Sequence, residues 1–210
     1  MTRPSRRQMY AEQTRAALVE AARKLFVAKG FADTSVEAIT KSALVSKGTF
    51  YHHFPDKTAM FAELYTERIE QVAALVDATS EAVGTAPDGQ VLAPARDLTL
   101  GFLRRTIDDP LHRELMAQAP SVLGKRYREI NDRIAQPALE RLLAAMAERG
   151  ALKPHVPIAT VARLLLSGLC EGNQIIAAAA DPEDALAGTG KALALLLSGL
   201  AADRNTGENR

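Results

Sequence analysis

The stretch Thr34-Ser-Val-Glu-Ala-Ile-Thr-Lys-Ser-Ala-Leu-Val-Ser-Lys-Gly-Thr-Phe-Tyr-His-His-Phe-Pro-Asp-Lys57 decides the fold of this chain. It reads as two short helices joined by a tight turn. Thr34 or Ser35 caps the first, which reaches about Ser42, and Ser46 caps the second, which reaches about His53. Val36, Ile39, Val45, Phe50 and Phe54 are spaced to seal the two helices together. Lys47, Thr49, Tyr51, His52, His53 and Lys57 are then left on the outside, a dense set of groups able to meet a nucleic-acid backbone. Phe50 and Phe54 belong to the core.

Charge is distributed unevenly around this stretch. The whole chain carries a net +1 over 210 residues. Residues 1–57 hold ten Lys/Arg against five Asp/Glu, whereas the remainder holds 16 against 20. A basic amino-terminal module on an acidic remainder suits one part that meets a polyanion and another that does not.

Outward from that stretch, apolar residues recur at helical spacing and no useful run alternates, so the chain is predicted to be all-α. The first helix should run from about Ala11 to Lys29, with Gly30 ending it. Pro55 breaks the chain, and Asp56 caps a long helix to about Val83. Further helices are expected over about 94–108, 111–118, 122–149 (kinked near Pro137), 158–179 and 182–201. The predicted domains are 1–55, 56–202 (with helix 56–83 joining the two) and a flexible tail, 203–210. Arg3, Arg6 and Arg7 either follow a minor groove or form a solubilising tail.

Cys170 is a single cysteine and permits no intrachain disulfide framework. No segment approaches the roughly 18 uninterrupted apolar residues of a membrane span, and the first residues lack a secretion signal. A soluble cytoplasmic protein without membrane association is expected. His52 and His53 diverge by about 100° on a helix and lack a third ligand at metal spacing, so no metal and no cofactor are expected. Glycine-rich phosphate loops and nucleophile motifs are also missing, which speaks against an enzyme.

The last two long helices are apolar on more than one side. Leu165, Leu169, Ile176, Leu193, Leu196, Leu197 and Leu200 are the residues expected to meet a two-fold mate in a four-helix bundle. Glu171, Asn173 and Gln174 interrupt this apolar run, and either face the dimer seam or line a pocket.

Residues 12–65 resemble the TetR (tetracycline repressor-like) family of transcriptional regulators. The matching residues are Ala21-Ala22-Arg23-Lys24-Leu25-Phe26, Gly30-Phe31, Thr34-Ser35-Val36, Ile39, Val45 through Phe54, and Lys57. The resemblance implies an amino-terminal three-helix helix-turn-helix domain and a larger carboxy-terminal helical bundle, about nine helices in all. It implies a homodimer that binds a pseudo-palindromic double-stranded operator, most simply as a repressor released by a small apolar or amphipathic effector. Carried over by position, Thr34, Ser35, Ser46, Lys47, Gly48, Thr49, Tyr51, His52, His53 and Lys57 are the expected DNA-binding residues. Of these, Lys47, Gly48 and Thr49 would face base edges, and Tyr51, His53 and Lys57 phosphates. Phe102, Met116, Leu123, Tyr127, Ile130 and Asn173 are the expected effector-pocket residues. An all-helical interaction scaffold or enzyme without DNA binding is the alternative.

Two positions depart from the family pattern. Thr40 stands where alanine is usual, and Leu44 where glycine is usual. Leucine at positive φ costs on the order of 1 kcal/mol, so a non-standard turn is expected there.

Overall fold

The computed structural model describes residues 5–87 and 89–202. Arg3 and the expected tail 203–210 lie outside the described residues. Ten helices are present among them: α1 Arg6–Lys29, α2 Val36–Ser42, α3 Lys47–His53, α4 Lys57–Thr85, α5 Ala93–Asp108, α6 Pro110–Leu123, α7 Lys125–Arg133, α8 Ala135–Glu148, α9 Ile158–Ala178 and α10 Pro182–Leu200. They cluster into two compact units, 1–68 with 110–127 and 69–109 with 128–210. The division falls within α4, after Arg68, and not at the expected 55/56 boundary.

The first unit is built on aromatic packing. Phe26 of α1, Phe31 of the following loop and Phe61 of α4 form a triangle with ring centroids 5.2–5.8 Å apart. The two contacts of Phe61 are edge-to-face, an arrangement that adds to what the buried ring area contributes. Helix α1 begins earlier than expected because Ser5 and Gln8 form a capping box. Gly30 ends it at φ 74°, with its N–H on the Phe26 carbonyl at 2.8 Å. A side chain there would be strained by that φ and would meet Glu114 Oε1 at 3.0 Å. Pro120 falls inside α6. It deletes one helical hydrogen bond, and the helix ends within a turn of it.

In the second unit, Ala73, Val76 and Val83 of α4 share a core with Leu139, Leu142, Leu143 and Met146 of α8. Arg149 donates to the carbonyls of Val83 (3.0 Å), Gly84 (2.6 Å) and Ala86 (2.8 Å), satisfying the open end of α4. The single helix expected over 122–149 is divided into α7 and α8. Pro137 then falls in the first turn of α8, where a missing N–H removes no bond, whereas mid-helix it would remove one. Gly172 lets α9 approach its neighbours, since a Cβ there would lie 2.9 Å from Thr189 and 3.0 Å from Leu103.

Candidate nucleic-acid interface

The two short helices are capped as their serines predict. Ser35 Oγ accepts from the Ala38 N–H at 3.1 Å, and Ser46 Oγ accepts from the Thr49 N–H at 3.1 Å. The Thr49 hydroxyl also lies 2.8 Å from Ser46 Oγ, so the cap holds both residues of the first turn. Ile39, Phe50 and Phe54 are buried. Lys47, Gly48 and His52 are exposed beside them, and Tyr51 is 50% exposed with its ring edge against Phe50. A short helix with one aromatic face sealed and one donor-bearing face open fits a major groove.

Leu44 adopts φ 56°, the left-handed conformation of the glycine it replaces. Its N–H reaches the Lys41 carbonyl (3.3 Å) and the Val45 N–H reaches that of Thr40 (3.0 Å). These two bonds are a Schellman ending for α2. The expected non-standard turn therefore does not form; leucine takes the strain, and its side chain stands 92% exposed.

Two expected DNA contacts turn inward. Thr34 is fully buried, and its hydroxyl donates to the carbonyls of Gly30 (2.7 Å) and Leu25 (3.2 Å). It pins the α1–α2 loop and presents nothing to solvent. Lys57 donates to the carbonyls of Phe31 (2.6 Å), Thr34 (2.7 Å) and Ala32 (3.3 Å). An ammonium has three hydrogens, so this geometry leaves none for a phosphate. Burial pushes the Lys57 pKa down, partly opposed by Asp33.

The remaining charges are also organised. Lys47 is ion-paired with Glu37 of α2 at 2.5 Å, which raises the lysine pKa and lowers that of the carboxylate. His53 is half-buried, and its pKa is lowered by burial first, then by His52 and Arg15. Arg15 of α1 lies 4.9 Å from the Phe54 ring centroid and pairs with Glu63. Gln118 of α6 accepts the Phe31 N–H at 3.0 Å. Neither Arg15 nor Gln118 carries a local sequence signal, because each acts across a long separation. Among the described residues no group of His, Cys, Asp and Glu could hold a metal ion, and no helix is long and apolar enough to cross a membrane.

The other expected residues fall in different places. Met116 and Leu123 are buried and Tyr127 half-buried in the first unit, with the Tyr127 ring 5.6 Å from that of Tyr65. In the second, Ile130 and Asn173 are buried and Phe102 half-buried. Of the expected dimer residues, Ile176 and Leu193 are buried in the chain's own core with Leu103 and Leu186. Leu165, Leu169, Leu197 and Leu200 are half-buried and Leu196 is exposed. The large apolar side chains exposed on α9 and α10 are Leu164, Ile175, Leu195 and Leu196.

Comparison with known families matches residues 18–64 to "Bacterial regulatory proteins, tetR family" and residues 94–200 to "Tetracyclin repressor-like, C-terminal domain". The chain belongs to the TetR family. The HTH-type transcriptional regulator UidR of Escherichia coli is 28% identical over 177 residues, 76% of this chain and 79% of UidR. The solved TetR-family regulator from Pectobacterium atrosepticum is 28% identical with a TM-score of 0.79, over 95% of this chain and 99% of that one. SmeT, the repressor of the Stenotrophomonas maltophilia multidrug efflux pump SmeDEF, shares the fold at 22% identity and a TM-score of 0.67, over 91% and 94% of the two chains. This TetR-family chain is a helix-turn-helix transcriptional regulator and not an enzyme.

Proposed function

We propose that this protein is a ligand-responsive repressor that binds a pseudo-palindromic operator as a homodimer in the cytoplasm. The observation that carries the reading is α3 itself. Phe50 is wholly buried beneath it, while Lys47, Tyr51 and His52 stand exposed beside it. Lys47, Gly48 and Thr49 face base edges; Ser35, Ser46, Tyr51, His52 and His53 face the flanking backbone. Two such helices, one per protomer, enter major grooves about 34–36 Å apart. The apolar side chains left exposed on α9 and α10 supply the surface that a second copy covers.

An effector acts by favouring a dimer geometry in which the two heads no longer match the operator, which needs differential affinity of a few kcal/mol. Phe102, Ile130 and Asn173 are the residues of the second unit assigned to its site. The sign of regulation follows SmeT, a repressor.

Fluorescence anisotropy against the promoters of its own and neighbouring genes tests the DNA reading. Wild type should bind one fragment specifically, with affinity falling steeply as salt rises. Lys47→Ala and Tyr51→Phe should each weaken that binding without lowering thermal stability. Affinity that is the same on every fragment and indifferent to both substitutions would defeat the reading.

A further inference from the structure

Thr106 of α5 and Asn173 of α9 form a polar pair inside an otherwise apolar part of the second unit. The Thr106 hydroxyl donates to Asn173 Oδ1 at 2.5 Å, and each residue is 1% exposed. One turn away on the same helices stand Phe102 and Leu103 on α5 and Leu169 and Ile176 on α9, all in one hydrophobic cluster. Asn173 Nδ2 has no acceptor. An amide nitrogen buried in this way forfeits its water without recovering a bond, whereas a leucine of similar size would incur no such penalty. Gln136 differs: both its amide hydrogens are used, on Glu140 Oε1 at 2.7 Å and the Ala159 carbonyl at 2.9 Å, and only an acceptor is spare. An orphaned buried donor calls for an explanation of its own.

We propose that Asn173 is the polar anchor of the effector site, donating from Nδ2 to an oxygen acceptor on an uncharged, largely apolar organic molecule. Thr106 is its positioning residue. By donating to Oδ1 it fixes which end of the amide faces outward from the pair, and so selects a carbonyl-type oxygen over a hydrogen-bond donor. The hydrophobic residues one turn away supply the apolar contact, and specificity rests on the single directed bond. The inference depends on the ligand-responsive reading above and adds to it the anchor and the chemistry of the ligand.

Acetophenone and α-methylstyrene test it, since they differ only in a C=O replaced by C=CH2. Calorimetric titration of the full chain should show acetophenone bound about tenfold more tightly, the effect of satisfying one buried donor. The Asn173 side-chain amide resonances in a 15N-labelled sample should shift with acetophenone and not with the hydrocarbon. In Asn173→Leu the two probes should bind alike, with the helical content of the wild type retained. Thr106→Val should narrow the preference. Equal affinities in wild type, no acetophenone binding at roughly millimolar concentration, unmoved amide resonances, or a preference that survives in Asn173→Leu would each overturn the proposal. Operator affinity measured on the same samples separates the two readings. Compounds that release DNA equally from wild type and Asn173→Leu remove the anchor and leave the regulator. Oxygen-selective binding that never alters DNA affinity does the reverse.

Discussion

The Lys57 ammonium donates to the Phe31 carbonyl at 2.6 Å and lies 4.1 Å from the centroid of that residue's ring. Its other hydrogens go to Ala32 and Thr34, so the first residue of α4 closes the α1–α2 loop, and the cap at Ser35 follows directly from that loop. Charged hydrogen bonds contribute roughly 1.5–3 kcal/mol when buried, and this partly exposed group belongs near the lower end. Lys57→Ala should therefore lower the melting temperature by about 3–8 °C. DNA binding should weaken through the loosened head, leaving the dependence of affinity on salt unchanged. A salt slope smaller by about 0.9 per protomer would instead assign Lys57 to a phosphate.

Lys47 and Glu37 predict the opposite behaviour. Their ion pair is exposed and contributes little to stability. On a polyanion Glu37 repels phosphate and competes for the lysine. Glu37→Gln should raise operator affinity several-fold without changing the melting temperature. Lys47→Ala should lower affinity and relax the base preference at the position it reads, with a salt slope little changed because a base-edge contact neutralises no phosphate. Parallel salt titrations of both variants check this.

The left-handed Leu44 is a stability reserve. The conformation costs a non-glycine residue about 1–2 kcal/mol, and glycine returns part of that through its freer unfolded chain. Leu44→Gly should raise unfolding stability by about 0.5–1 kcal/mol with an unchanged denaturant slope. A loss of similar size would show that the leucine makes contacts worth more than its strain.

What the sequence could disclose was local. Ser35, Ser46 and Gly30 sit next to the helix ends they satisfy, and Phe50 lies within a turn of the residues it seals, so spacing was enough to find them, whereas the Ser5 cap that starts α1 was missed. Lys57 and Gln118 were not readable in the same way. Their partners in the loop at Phe31 lie 26 and 87 residues away, and a lysine at a helix start looks the same whether it turns outward or back. Ile176 and Leu193 illustrate the matching limit for apolar residues. When a helix is hydrophobic on several sides, periodicity cannot say which side its own chain covers.

His53 supplies a pH test. Burial, His52 and Arg15 hold its pKa below the usual 6.5, so at neutral pH the ring is uncharged. A phosphate beside it would favour the charged form and raise that pKa in the complex. Proton uptake then accompanies binding, and affinity should increase as pH falls below about 6.5. The free head should respond in the other direction. A depressed histidine pKa favours the folded state above the unfolded value, and that contribution is lost as pH falls through the folded pKa. His53→Gln should flatten both dependences. Anisotropy and thermal melts between pH 5.5 and 7.5 read them separately, and a pH-independent wild-type affinity would remove His53 from the phosphate contacts.

Dimerisation can be tested on residues the chain leaves open. Leu164 and Ile175 stand 11 residues apart on α9, about three turns, and so share a face; they are 67% and 49% exposed. On α10, Leu195 and Leu196 are 64% and 65% exposed. Large apolar side chains left in water on these two helices suit the proposed dimer interface. An aspartate there costs nothing in a monomer, because the position is already in water, but in a dimer it buries an unpaired charge. Leu196→Asp and Leu164→Asp should therefore sediment as monomers with near-normal helicity. Both should bind a single half-site far more weakly than the wild-type dimer binds the full operator. Ile176→Asp, at a position buried in the chain's own core, should instead unfold the carboxy-terminal part, which separates loss of association from loss of fold.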